Sequence, residues 1–234
     1  MPDLRPIISL MIALAAAALV PVQACAADQD TQIWLLPTAK VDLSDSTSLT
    51  VGEGTRFGDD AGGLSQLFLR AYVDVDAGDN LTLGGGYGHF QNFDHGVRTG
   101  TEERFFQQAN WSMGHALGGD WTSRSQVEER LYDHQSAMRV RERIQWRGDA
   151  LGGAVLGDRG SKVRPVLSVE LLAEIYDGAK HTGTRFSSTR ESAGISIAVS
   201  KPLTLDLAYQ NIWAPRSGQD KMIHVDSAVV SYHF

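Results

Sequence analysis

The sequence predicts an all-β fold: a transmembrane antiparallel up-and-down barrel of about 10–12 strands with a charged lumen. Three observations lead to it. Apolar and polar side chains alternate with a period of two along most of the chain, the chain opens on an export-type leader, and it closes on the aromatic segment "SAVVSYHF". Period-two alternation gives each strand one apolar and one polar face. No run between Ala27 and Phe234 is long enough for a membrane helix, so residence in a membrane requires strands.

The leader comes first. "MPDLRP" precedes an apolar run from Ile7 to Val20, which is shorter than the roughly 20 residues a membrane helix needs. Ala24-Cys25-Ala26 follows, so residues 1–26 read as a signal peptide cleaved before Ala27, with 27–234 as one barrel domain. Cys25 is the sole cysteine, and its loss on cleavage excludes disulfides, cysteine metal sites and cysteine nucleophiles. Cleavage before Cys25 with acylation of its thiol is the alternative, but Gln23 sits where that signal uses a small residue. The net charge of −7 argues against a nucleic-acid partner.

The strand segments run 31–42, 46–57, 64–75, 80–91, 102–114, 121–132, 136–147, 163–176, 186–199, 203–213 and 222–234. In "MRVRERIQW", Met138, Val140, Ile144 and Trp146 share one face and Arg139, Arg141 and Arg143 the other. From Val163, alternate residues to Ile175 are apolar while Arg164, Ser168, Glu170 and Glu174 oppose them. "LTLDLAY" repeats the pattern from Leu203. Short connections (76–80, 116–120, 200–202) alternate with longer glycine-rich ones (58–63, 94–100, 177–183, 214–220), the asymmetry of an outer-membrane barrel. Eleven segments conflict with the even count expected of a bacterial barrel. Either 31–42 lies outside the ladder, giving ten, or 150–160 hides another strand, giving twelve.

A soluble periplasmic β-sandwich would show the same alternation, with its apolar faces packed together. The leader, aromatics near strand ends (Trp34, Phe57, Trp111, Trp121, Trp146, Trp213) and the aromatic last strand favour the membrane. Val230, Tyr232 and Phe234 fall on one face of that strand, an arrangement similar to the signal read by the outer-membrane assembly machinery. The expected partners are that machinery and outer-membrane lipid.

Several charged motifs carry a family resemblance: "DTQIWL" (Asp30, Gln32, Trp34), Arg56, then Glu102, Arg104, Gln107 and Gln108. They continue with "RSQVEER" (Arg124, Glu128, Arg130, with Gln126 replacing a middle arginine), Arg139-x-Arg141-x-Arg143, Glu170 and Arg190. In this order they resemble the bacterial outer-membrane proteins grouped as domain of unknown function 2490. The resemblance implies an outer-membrane barrel and brings no activity with it.

The sharpest chemical feature is an arginine ladder on the polar parity, Arg124 and Arg130 beside Arg139, Arg141 and Arg143, with Glu128, Glu170 and Glu174 as partners. One reading is a salt-bridged lumen that fixes register and fills a small barrel. The other is a narrow basic constriction that passes a small anionic solute. A lipid-modifying acyl hydrolase would need a Ser-His pair at the outer rim. His89, His95, His134 and His181 with Ser187 and Ser188 supply residues but no recognised motif. No catalytic residue, metal ligand or cofactor is assigned. His89, Asp94 and His95 match no metal spacing, and the glycines of "GGGYG" (84–88) leave room for a bulky neighbour. Glu129 and Glu142 fall on the apolar parity, which calls for an interface or a bulge near them.

Overall fold

The computed structural model describes residues 27–58, 60, 62–132, 135–149, 163–177 and 185–234. They form eleven strands: β1 (Asp28–Ser44), β2 (Thr47–Gly58), β3 (Gly63–Gly78), β4 (Leu81–Asp94), β5 (Val97–His115), β6 (Gly119–Tyr132), β7 (Gln135–Gly148), β8 (Val163–Asp177), β9 (Arg185–Ala198), β10 (Leu203–Ala214) and β11 (Lys221–His233). Successive strands pair in an antiparallel sense, and β1 meets β11 to close a barrel. The leader, the segment 150–160, His134 and His181 lie outside the described residues.

Segment 31–42 belongs to the ladder, which removes the ten-strand reading: it pairs with β2 and, in parallel, with β11. Asp28 stands beside Lys221 and Lys40 beside His233. That parallel seam lets an odd number of described strands close. It also puts the start of β1 and the end of β11 at opposite rims. Residues 45–46, 79–80, 116–118 and 199–202 and the end of β11 share one rim, here the turn rim. The opposite, loop rim holds Asp60, 95–96 and 215–220.

The segment 94–100 is not a loop. β4 runs to Asp94 and β5 starts at Val97, leaving a two-residue hairpin whose φ angles are 49° at His95 and 78° at Gly96. Two positive φ values suit the twist of a tight hairpin. Leu117 and Gly118 do the same at the turn rim, with φ of 55° and 67°.

Parity assigns the two faces. Val41, Val51, Val73, Leu83, Leu167, Ile195, Leu207 and Val230 all project outward and are exposed. So continuous an apolar belt is untenable in water and matches the lipid-facing band of an outer-membrane-type barrel. Trp111, Trp121, Trp146, Tyr232 and Phe234 edge it at the turn rim, with Trp121 directly opposite Trp146. Towards the loop rim, Phe186 and Trp213 lie 5.7 Å apart. Trp34 leaves this girdle: it shares parity with Gln32, turns inward and is buried with Val225 and Ile212.

The inward glycines receive large neighbours. A Cβ on Gly86 would lie 2.4 Å from that of Tyr72, and one on Gly54 would lie 2.0 Å from the Phe68 ring. Lumen rings therefore lie flat over adjacent strands, as the "GGGYG" run suggests.

Glu142 stays on the lipid face, with no bulge in the β6–β7 pairing. Ser123 donates a 2.6 Å hydrogen bond to one carboxylate oxygen and Ser125 bonds the other. Glu129 is three residues from the end of β6, near the loop rim. Two hydroxyls do not fully replace water around a mid-strand carboxylate. Glu142→Leu is therefore expected to stabilise the barrel by about 1 kcal/mol, read as a higher urea midpoint after refolding into lipid vesicles.

Candidate functional site: the charged lumen

Every member of the ladder faces inward: Arg56, Arg104, Arg124, Glu128, Arg130, Arg139, Arg141, Arg143, Glu170, Glu174 and Arg190. The strict two-residue spacing on β6 and β7 makes this unavoidable, because turning one of these arginines outward would turn them all into lipid.

Four carboxylates organise the cations, and each is less than a tenth exposed. Glu170 is the hub. It accepts from Arg124 at 2.8 Å, from Arg141 Nη2 at 2.9 Å to both oxygens, and from Arg190 at 3.4 Å. Arg141 also donates to Glu128 at 2.9 Å, so this one guanidinium ties β6, β7 and β8 together. Glu174 takes Arg139 at 3.0 Å and Arg185 at 3.1 Å.

Glu102 is the hub that sequence reasoning left out of the ladder. Arg104 grips it in a fork with both bonds at 2.9 Å, and Arg130 bonds it as well. Adjacent Glu102 and Glu103 have opposite parity, and only pairing tells them apart. Glu103 faces outward and contacts Tyr87 and His89. Arg70 and Arg185 were also missed. Arg70 shares parity with Asp74 and Asp76 on β3, which is the signal that could have found it.

Aromatic rings complete the circuit where carboxylates stop. Arg190 sits 5.7 Å from the Trp34 ring, and Arg56 lies over Trp34 at 4.0 Å and Phe68 at 5.1 Å. Phe68 stacks on Phe90 at 4.8 Å, and Arg104 covers Phe90 at 3.7 Å. Cation–π contact of this kind stabilises a partly desolvated guanidinium. From Arg190 on β9 across to Trp34 on β1, on to β5, and then through Glu102, Arg130 and Glu174, the layer draws on nine of the eleven described strands, while Ile212 of β10 and Val225 of β11 pack against Trp34. Further chains brace its loop side: Arg56 to Gln66 to Asn92, and Trp34 to Gln32 to Asp30.

Below this layer a cavity of about 1170 Å³ reaches the turn rim. Arg56, Arg124, Arg141, Glu128 and Glu170 form its floor, and Asp42, Asp45 and Asp76 stand at its mouth. Glu102, Arg130, Arg139, Glu174 and Arg185 do not line it. They belong to the filled, loop-side half.

The hydrolase constellation is not brought together among the described residues. His89 is on the exterior of β4, while Ser188 is buried inside β9. His95 contacts Asp94 at 2.8 Å in the exposed hairpin. No group of three or more His, Cys, Asp or Glu residues that could hold a metal occurs among the described residues.

LpxR from Salmonella typhimurium is similar over 79% of this chain and 83% of its own, with a TM-score of 0.47 and 11% identity. An uncharacterised protein of Methylorubrum extorquens is 27% identical over 187 residues, 78% of either chain. Residues 31–222, which contain the whole arginine ladder and all its carboxylates, match one family model, and the chain belongs to that family, described as Protein of unknown function (DUF2490).

Proposed function

We propose that this protein is a closed barrel of the Gram-negative outer membrane, exported by its leader, with a plug in its loop-side half and a blind vestibule opening at the turn rim. One observation carries the reading: ion pairs and ring–guanidinium contacts join nine of the eleven described strands across the lumen, Ile212 and Val225 of the other two pack against Trp34, and the cavity stops beneath this layer. Lipid covers the apolar exterior, and the assembly machinery is the partner that places the barrel. In this reading no residue has a catalytic role. The alternative use of the same cations, an anion-passing constriction, draws on their excess over carboxylates.

Arg141→Ala separates the two. In a closed barrel it leaves Glu128 with the Gln126 amide in place of an ion pair and Glu170 short of its best donor, lowering stability by about 3–5 kcal/mol before water in the vestibule screens the loss. Planar-bilayer conductance is then expected to be negligible in the wild type. An open, anion-selective wild-type barrel whose selectivity falls in the variant at unchanged melting temperature would overturn the proposal.

A further inference from the structure

Cations and carboxylates are not matched on the vestibule floor. Arg124, Arg141 and Arg190 share Glu170. Arg56, Arg70 and Arg143 also line this cavity, and none of the three makes an ion pair with a carboxylate among the described residues. Arg56 has rings and the Gln66 amide, and Arg70 has the Tyr72 ring at 5.8 Å. Neither set of contacts carries a negative charge. The Nε–H groups of Arg56, Arg70, Arg124 and Arg190 are buried with no acceptor, against two carboxylate oxygens of the same cavity that lack a donor, Glu128 Oε2 and Asp206 Oδ1. Three walls converge here: Arg56 on β2, Arg70 on β3 and Arg143 on β7 all line the cavity, and Arg143 stands cross-strand from the already shared Glu170 on β8.

Like charges gathered in a partly desolvated pocket repel, and donors without acceptors add to the cost. One anion between them relieves both. We infer that the vestibule floor is a binding site for a soluble phosphorylated small molecule, its phosphoryl oxygens held by Arg56, Arg70 and Arg143. This rests on the closed-plug reading, since the floor exists only where the lumen is blocked. Guanidinium forks match phosphoryl oxygens in pairs. A phosphomonoester carries close to two negative charges at neutral pH, which suits a floor where six arginines share Glu128 and Glu170. A volume of about 1170 Å³ leaves room for a sugar-sized body behind the phosphate. Acids stand between the rim and the floor, and cations stand among them: Asp42 contacts His233 at 2.9 Å, Asp76 accepts from Thr82 at 3.0 Å, Asp74 accepts from Gln108 at 2.9 Å, and Lys40 and Arg147 line the cavity with Asp45 and Asp206.

The test is calorimetry and melting of the full barrel refolded in detergent, with inorganic pyrophosphate as the main probe. Saturable one-to-one binding and a raised melting temperature are expected, with at least tenfold weaker binding in Arg70→Gln/Arg143→Gln. That variant should melt above the wild type without ligand, because it removes unpaired charge; cations with a purely structural role would lower melting when lost. Arg216→Gln at the loop rim should bind as the wild type does. Absence of saturable binding to the wild type, or undiminished binding to the double variant, overturns the site. Citrate binding as tightly as pyrophosphate overturns the phosphoryl class, and dihexanoyl phosphatidic acid binding more tightly overturns a free solute in favour of a lipid headgroup. Bilayer recordings on the same sample keep the two readings apart. A non-conducting barrel that binds nothing refutes only this site, whereas a conducting one refutes the plug.

Discussion

Glu170→Ala is expected to be the most destabilising single change in the lumen, lowering the free energy of unfolding by about 3–5 kcal/mol. The effect follows from what the carboxylate holds. Arg124 and Arg190 have no other carboxylate among their ion pairs, and Arg141 would keep only Glu128. The charge remaining on the floor would be almost entirely positive. Glu170→Gln should fall between the wild type and alanine, since it keeps an acceptor but loses the charge. Glu174→Ala should cost less, because one of its partners, Arg185, has a side chain 45% exposed and can turn to water. Added salt should restore part of the Glu170→Ala loss by screening the freed cations. Urea unfolding in lipid vesicles, followed by tryptophan fluorescence, measures all three variants. A Glu170→Ala barrel with the wild-type midpoint would show that the arginines are solvated and that the plug is not held by charge.

Much of this arrangement was legible from spacing. Arg139, Arg141 and Arg143 on one parity, with Met138, Val140, Ile144 and Trp146 on the other, determine which face of β7 meets lipid. The same logic assigned Glu170 and Glu174 to the lumen. It failed where parity alone was the wrong instrument. Trp34 was placed in the girdle because it lies near a strand end, although its parity with Asp30 and Gln32 points inward. Glu102 was lost because its neighbour is also a glutamate. The hairpin at His95-Gly96 was hidden in a polar stretch that resembles a loop, though a residue that tolerates positive φ followed by glycine is a tight-turn signal. A barrel was legible, but the way its ends meet was not. Alternation gives the face of each strand but not the direction of its neighbour, so the parallel β1–β11 seam leaves no local trace.

Phe234→Asp is expected to separate assembly from stability. The Phe234 ring is 72% exposed on the outer surface, 4.6 Å from Tyr232, and its backbone N–H donates to the Lys40 carbonyl at 2.9 Å. It packs against no core, so the folded barrel loses little when the ring is replaced, and the backbone bond to β1 survives the substitution. Refolding from urea into detergent should therefore give near-wild-type yield and melting. In cells the outcome should differ. Val230, Tyr232 and Phe234 form an outward row at the turn rim, and a carboxylate there both interrupts the row and puts a charge at the lipid boundary. At least a tenfold fall in folded protein recovered from the outer membrane is expected, read as loss of the heat-modifiable band on unboiled gels. Normal amounts of the folded variant in that membrane would refute the assembly role of Phe234. Equal losses in cells and in detergent would assign the residue to barrel stability instead.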